Sequence, residues 1–514
     1  MTDFKGFVRR VTLDKPRLGN NIADAQRLEM SLKKELGTEK IHTPLRLLRQ
    51  LPSQLRAWNW EAMVVLFRDR QSWFLLDVLA PDSSGPFAGV AIDIGTTRVA
   101  MALVDLRTGE DLGEIGFDNP QKEIGPDVLA RIHYSGRDGG LLQLQSLIVG
   151  GVNRHLAILC RQCGVHREKV YIVSGAGNTA MTHLFLGIEA YEIIKEPYIP
   201  CVNIPDTFDA ADLGLAVNPG GKVFLFPNIG SYFGGDLIAG ILYAGLDQKE
   251  APCIMVDVGT NAEIVVGNRD WLIACAGAAG PALESGVSKM GMTAGPGVID
   301  KVELDGDKNL EVHTIDGGPP IGICGSGMID LAAGLFLSGR IDIRGKFVKE
   351  KCRGRLEETD GIERFVLCET AASGTGTPIC LSQVDLNSLT SSKAAMYTIL
   401  EVIVNHTAGL SFEALSKFYV AGTFGSFINP ASAIAIGMLP DLDLSLFEVL
   451  GNSSLGGARL LLKTPEAFDR LLAIREAVTY IELNVNQEFM NMFSGAKFYP
   501  HTDRSRFPSL RDKI

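Results

Sequence analysis

Two short strings hold residues that could grip a phosphate. One apolar run ends in Asp93-Ile94-Gly95-Thr96-Thr97, and a later one ends in Asp257-Val258-Gly259-Thr260-Asn261. The glycine in each allows a tight turn, so the backbone N–H groups and side-chain hydroxyls that follow can point at phosphate oxygens. An aspartate is acceptor-only and suits a magnesium ion, held through its water shell. One copy alone would fit an ordinary hairpin with a capping aspartate. The recurrence gives Asp93, Gly95, Thr96 and Thr97 a counterpart in Asp257, Gly259, Thr260 and Asn261, and two such turns could clamp one β,γ-phosphate group from opposite sides.

Three further strings could complete such a site. Phe233-Gly234-Gly235-Asp236 leads into an apolar helical run, and two readings of Asp236 stay open: orienting or deprotonating an attacking water, or capping the helix. Val420-Ala421-Gly422-Thr423-Phe424-Gly425 follows an apolar strand, and the bare backbone around Gly422, Thr423 and Gly425 could pack on an adenine ring. Gly322-Ile323-Cys324-Gly325-Ser326-Gly327 precedes a helix expected over 328–337, so Gly325 and Ser326 could meet a ribose or an anion. Ser373 to Thr377 lacks the lysine and following helix of a phosphate loop and reads as a loop insertion. The eight histidines show no metal-ligand spacing.

The elements that must position these residues read as α/β. Residues 1–87 form a small α+β region, with an amphipathic helix over Ile22 to Leu36. A second helix spans Thr43 to Gln50, where Thr43 can cap and Pro44 opens the first turn. Strands follow at Ala62 to Phe67 and Trp73 to Val78, before a turn-rich linker ending at Pro86. From Gly89, strands and helices alternate, and the pattern restarts after Ala251. The expected division is 1–87, a first lobe over 88–250, a second over 251–445, and an extension over 446–514 that is helical in pattern from Ala467 to Met490.

The chain has 514 residues, enough for roughly three or four domains and a large core without staples. Its formal charge of −11 argues against nucleic-acid binding, which needs a basic footprint. Nine scattered cysteines fit reduced thiols in a cytoplasmic protein better than a disulfide scaffold. Met1 to Arg10 lacks the apolar core of a signal peptide, and no apolar stretch is long enough for a membrane span.

Together these strings resemble the superfamily of acetate and sugar kinases, heat-shock chaperone ATPases and actin, whose two lobes share a ribonuclease-H-like core. The resemblance implies that Asp93 to Thr97 and Asp257 to Asn261 are its two phosphate motifs and Ala421 to Gly425 its adenosine motif. It also implies that Asp236 stands where the superfamily's sugar kinases carry a catalytic aspartate. A narrower resemblance covers nearly the whole chain. Ser174 to Leu184, Ala278 to Glu284, Gly322 to Leu331, Ala421 to Pro440 and Arg46 to Arg56 look like segments of the reductive activators of corrinoid-dependent enzymes.

That resemblance implies ATP and magnesium as ligands, and ATP hydrolysis coupled to cob(II)-to-cob(I) reduction on a partner corrinoid protein of a methyltransferase system. It also implies a homodimer. One departure stands out. The family carries an iron–sulfur domain, which needs four thiolates in a tight pattern. Here the first cysteine is Cys160, the last is Cys380, and the one close pair is Cys160 and Cys163. The expectation is therefore no iron–sulfur cluster in this chain and electrons from a separate donor, such as a ferredoxin or flavodoxin. A small-molecule kinase and a nucleotide-switched regulatory protein on the same frame are the alternatives.

Overall fold

The computed structural model describes residues 6–70, 72–259, 262–277, 290–292, 294–305, 309–352, 354–422, 428–482 and 487–511. Close contacts divide the chain into two units, residues 1–243 with 453–476, and residues 244–452 with 477–514.

The first unit opens with a four-stranded sheet of β1 (Val8–Thr12), β2 (Ile41–His42), β3 (Glu61–Asp69) and β4 (Ser72–Leu79), in the order β1-β3-β4-β2. Helix α1 (Asp24–Leu36) buries Leu28 and Leu32, as its amphipathic pattern requires, and stops at Gly37, whose φ of 62° suits a residue without a Cβ. The single helix expected from Thr43 to Gln50 is instead two, α2 (Leu45–Leu48) and α3 (Leu51–Ala57). Thr43 is not the cap. Pro44 takes that position, and the Thr43 hydroxyl donates to Glu29 Oε1 at 3.2 Å. Pro52 in the first turn of α3 supplies the reason for the break, because proline favours a fresh helix start.

The main sheet of this unit holds β5 (Ala88–Ile94), β6 (Arg98–Asp105), β7 (Asp111–Asp118), β8 (Val170–Ala176), β9 (Phe208–Asp209) and β10 (Lys222–Leu225), in the order β7-β6-β5-β8-β10-β9. β5, β6 and β7 form an antiparallel meander, while β8 and β10 run parallel to β5. Helices α4 (Val128–Ser135), α5 (Gly140–Gln162), α6 (Thr179–Leu186) and α7 (Gly235–Ala244) complete the segment before residue 245. Leu144, Ile148, Val152 and Leu156 of α5 share a core with Val90, Ile92, Met101 and Leu103 of the sheet.

The second unit repeats this frame. Its main sheet holds β11 (Cys253–Val258), β12 (Ala262–Gly267), β13 (Leu272–Gly277), β20 (Lys417–Ala421), β21 (Phe447–Gly451) and β22 (Val478–Glu482). The order is β21-β20-β11-β12-β13-β22, with an antiparallel meander from β11 to β13 and with β20 and β21 parallel to β11. With the edge strands β9 and β22 set aside, both sheets read third, second, first, fourth, fifth in chain order, which is the ribonuclease-H-like arrangement of the actin and sugar-kinase fold. Two small sheets interrupt this unit, one of β14 (Val298–Asp305), β15 (Asn309–Thr314) and β16 (Gly322–Ile323), the other of β17 (Leu356–Thr359), β18 (Ile362–Cys368) and β19 (Ile379–Ser382). Helices α8 (Gly325–Leu337), α9 (Gln383–Glu401) and α10 (Pro430–Ala435) belong here too.

The C-terminal stretch is not uniformly helical. α11 (Ser453–Lys463) and α12 (Ala467–Ala477) are followed by strand β22, then by α13 (Gln487–Ala496). Val478 to Glu482 pairs with β13, so sheet hydrogen bonding overrides a weak helical pattern there. Phe468 of α12 packs its ring 5.5 Å from Phe67 and 4.6 Å from Phe224, joining the N-terminal sheet to the first main sheet.

The last residues are tied to α9. The wholly buried Lys393 donates from Nζ to the carbonyls of Pro500, at 2.7 Å, and Phe498, and burial pushes its pKa well down. Arg506 pairs with Glu401, which is only 3% exposed. Removing one partner of such a pair strands a buried charge. Arg506→Met should therefore lower the stability of the second unit by about 3 kcal/mol, read as a shifted midpoint in denaturant unfolding. A change below about 0.5 kcal/mol would mean that the pair is mere surface decoration.

Candidate functional site

Strand β5 delivers Asp93 to the end of the first main sheet, where its register partners are Ala100 and Ala176. Both neighbours are small, so the carboxylate is left half-buried beside the turn that follows. Gly95 must be glycine: a Cβ there would lie 2.2 Å from the Arg98 carbonyl oxygen. Ser454, in the first turn of α11, donates from Oγ to Asp93 Oδ1 at 3.0 Å. α11 reaches this position because it carries Gly456 and Gly457. A Cβ on Gly457 would meet the Ala239 carbonyl oxygen of α7 at 2.1 Å, and one on Gly456 would meet the Tyr243 ring at 2.6 Å.

Two asparagines hold the turn itself. Asn119 is wholly buried. It donates from its backbone N–H to Thr97 O and from Nδ2 to Gly95 O, each at 2.9 Å. Asn178 caps α6, accepting from Met181 N–H at 2.9 Å, and donates from Nδ2 to Thr96 Oγ1 at 3.1 Å. With Gly95 O, Thr97 O and Thr96 Oγ1 accepting from the two asparagines, the turn is held so that its backbone N–H groups and threonine O–H groups can donate to a ligand.

Asp236 enters the same neighbourhood from α7. Its backbone N–H donates to Gly177 O at 3.3 Å, next to Asn178. Gly234 packs so closely that a Cβ would fall 2.5 Å from both Asn178 Cα and Asp236 Oδ1. Asp236 is the second residue of α7, within the first turn, and its Oδ1 accepts from Leu237 N–H at 2.9 Å. Its side chain is half-exposed. Asp93, Gly95, Thr96, Thr97 and Asp236 thus cluster at one end of one sheet, joined by Gly177, Asn178 and Asn119.

The second unit shows the matching end. Asp257, the penultimate residue of β11, lies opposite Glu263 and beside Ala421 of β20, and Gly259 directly follows the strand. Gly422 has a φ of +87°, and a Cβ on it would lie 2.6 Å from Asp257 Oδ1 and 2.7 Å from the Val258 carbonyl oxygen. Gly259 and Gly422 therefore leave adjacent parallel strands side by side. Thr260, Asn261, Thr423, Gly425 and Ala278 to Glu284 lie outside the described residues.

Gly325 and Ser326 are placed differently. α8 starts at Gly325, earlier than the expected residue 328, so both residues lie in its first turn. Both are buried, and the Ser326 hydroxyl donates to Asp300 O at 2.9 Å. They flank the small β14–β16 sheet, and no hydrogen bond among the described residues joins them to Asp257.

The magnesium chemistry suits the donors present. Asp93 and Asp257 offer hard carboxylate oxygens, each half-buried at the end of its sheet. Among the described residues no group of three His, Cys, Asp or Glu could hold a metal by itself. Burial pushes six of the nine thiols upward, Cys160 to about 11 together with Cys163, Cys275, Cys352, Cys368 and Cys380, which disfavours the thiolate form that a metal takes. His183 is also structural. Nε2 accepts from Cys201 N–H at 3.1 Å, so Nδ1 carries the proton and donates to Thr179 O at 2.7 Å, while burial lowers its pKa.

Sequence reasoning named the aspartates and glycines as candidates but assigned no role to Asn119, Asn178 or Ser454. An asparagine directly before Pro120, and another directly after the Ser174–Gly177 string, are cap signals that could have pointed to the first two. Ser454 sits far along the chain in an unremarkable serine pair and gave none.

Three family models tile the chain: the RACo linker region over residues 7–85, the RACo middle region over 88–249, and the C-terminal domain of RACo, the ASKHA domain, over 251–511. The chain is 31% identical over 416 residues to the corrinoid activation enzyme RamQ of Eubacterium limosum, covering 79% of this chain and 70% of that one. It is 24% identical over 440 residues to a [Co(II) methylated amine-specific corrinoid protein] reductase of Methanosarcina barkeri, covering 79% and 76% respectively. A solved reductive activator for a corrinoid, iron–sulfur protein superposes with a TM-score of 0.87 at 36% identity, covering 98% of this chain and 81% of that one.

Proposed function

We propose, from the premise that the chain belongs to the RACo family of reductive activators, that it couples ATP hydrolysis to reduction of a corrinoid protein in a methyltransferase system. The observation that carries this reading is the assembly of Asp93, Gly95–Thr97, Asn178 and Asp236 at one sheet end, with the same Asp-x-Gly device repeated at Asp257. The backbone donors after Gly95 and Gly259, with Thr96, Thr97, Thr260 and Asn261, would receive the phosphates. Gly422, Thr423 and Gly425 would lie against the adenine, and Gly325 and Ser326 toward the ribose side. Bound magnesium would neutralise phosphate charge, with Asp93 and Asp257 holding its water ligands.

Asp236 would take a proton from water as the water oxygen attacks the γ-phosphorus. The bond from that phosphorus to the bridging oxygen breaks, releasing ADP and phosphate. The energetic task is to make a low-potential electron transfer go forward. Nucleotide-dependent affinity for the corrinoid partner supplies the coupling, because a ligand shifts an equilibrium only by its differential affinity for two states. The electron comes from a separate low-potential donor, a ferredoxin or flavodoxin, and converts cob(II) to cob(I). The wide scatter of the free cysteines along the chain supports that division of labour. A cytoplasmic homodimer completes the reading.

The test mixes the full chain with a cob(II) corrinoid protein, a low-potential donor, magnesium and ATP. Cob(I) absorbance should rise and free phosphate should appear. Phosphorylated small molecule without cob(I) would favour a kinase, and no cob(I) above the ATP-free control across candidate partners would end the proposal. A smaller effect follows from Ser454. Ser454→Ala removes one hydrogen bond to Asp93, so hydrolysis should need about three- to tenfold more magnesium for half-maximal rate. An unchanged magnesium requirement would place Ser454 outside the metal's support.

A further inference from the structure

Arg131 of α4 is wholly buried, and no carboxylate pairs with it among the described residues. Its Nε donates to Gly125 O at 2.9 Å. Nη1 is shared between Gln121 Oε1, at 3.3 Å, and Met181 Sδ, at 3.4 Å. Nη2 has no hydrogen-bond partner among the described residues. Burial lowers its pKa to about 10, with Asp127 opposing that shift. Such an arrangement is costly, and an apolar side chain of similar volume often serves stability as well or better. Stability by itself therefore does not explain why a guanidinium occupies this position.

Its contacts suggest what does. Gln121 accepts from Arg131 and donates from Nε2 to Leu144 O at 2.9 Å, while its backbone N–H donates to Asn119 Oδ1 at 2.9 Å. Asn119 in turn holds Gly95 O and Thr97 O. On the other side, Met181 donates its backbone N–H to Asn178 Oδ1, and Asn178 holds Thr96 Oγ1. One guanidinium thus touches both segments whose asparagines grip the three residues of the turn.

We infer that Arg131 is a positioning residue for the first phosphate turn, acting through Gln121–Asn119 on one side and Met181–Asn178 on the other. The inference rests on the ATP-binding reading above. Fixing two supports to one rigid fork sets the turn's donors before the phosphate arrives, which lowers the ordering cost of binding.

The experiment measures Mg·ATP affinity by calorimetry on the full chain for wild type, Arg131→Met, Gln121→Met, Asn119→Ala and Asn119→Ala/Arg131→Met, with thermal midpoints alongside. Arg131→Met and Gln121→Met should each bind about tenfold more weakly while remaining folded. The double variant should lose clearly less than the product of the two single losses, because the residues act in series. A purely structural arginine would shift the thermal midpoint and leave the affinities alone. If Arg131→Met does not fold, Gln121→Met decides, since it cuts the link and keeps the cation. Wild-type affinity in Gln121→Met, or losses that multiply in full, would overturn the inference. Absence of Mg·ATP binding by the wild type would instead overturn the ATP reading beneath it.

Discussion

Asp236→Ala and Asp236→Asn should both hydrolyse ATP about 100- to 1000-fold more slowly than wild type, while Mg·ATP affinity stays within about threefold. The pair of variants separates two roles. Asp236 lies in the first turn of α7, and its Oδ1 accepts from Leu237 N–H. Asparagine keeps an oxygen for that contact but cannot take a proton from water at neutral pH. If Asp236 serves only the helix turn, the asparagine variant keeps its rate and only alanine suffers. If Asp236 is the base, both fail alike. The side chain is half-exposed, as a base that must reach a water has to be. Asparagine retaining more than about a fifth of the wild-type phosphate release would remove Asp236 from the chemistry.

Asp93→Ala and Asp257→Ala should each reduce hydrolysis by about 100-fold or more, because each removes a carboxylate that holds the magnesium waters. Asp93→Ala also leaves the Ser454 hydroxyl without this acceptor. The two variants should look alike in a magnesium titration of phosphate release, although their residues lie in different units. Normal turnover in Asp257→Ala would reduce the second Asp-x-Gly string to a strand-ending turn. It would also reassign the whole phosphate task to the first unit.

Much of the frame was legible because the burial pattern is strong. Val90 to Ile94 and Cys253 to Val258 are short apolar runs ending in Asp-x-Gly, and both become central strands at the same place in a repeated sheet. Their recurrence made the repeat visible even though few other residues match. The mistakes came where tertiary context outweighs local pattern. Val478 to Glu482 lies among helix formers but pairs with β13, and Thr43 yields the cap position to Pro44. Gly325 and Ser326 illustrate another limit. A glycine-rich string before a helix suggests a ligand, yet here close packing also calls for glycine: a Cβ on Gly327 would lie 2.7 Å from the Ile299 carbonyl oxygen. Sequence does not distinguish those two needs. Nor could it join Ser454 to Asp93 or Arg131 to Met181, because these contacts link segments far apart in the chain.

The central claim is that the two Asp-x-Gly turns serve one nucleotide. Isothermal titration of the full chain with Mg·ATP tests it most directly. One binding event per chain is expected, and Asp93→Ala and Asp257→Ala should each weaken that same event. Two separable events per chain, each sensitive to only one aspartate, or no heat of binding at all, would contradict the account.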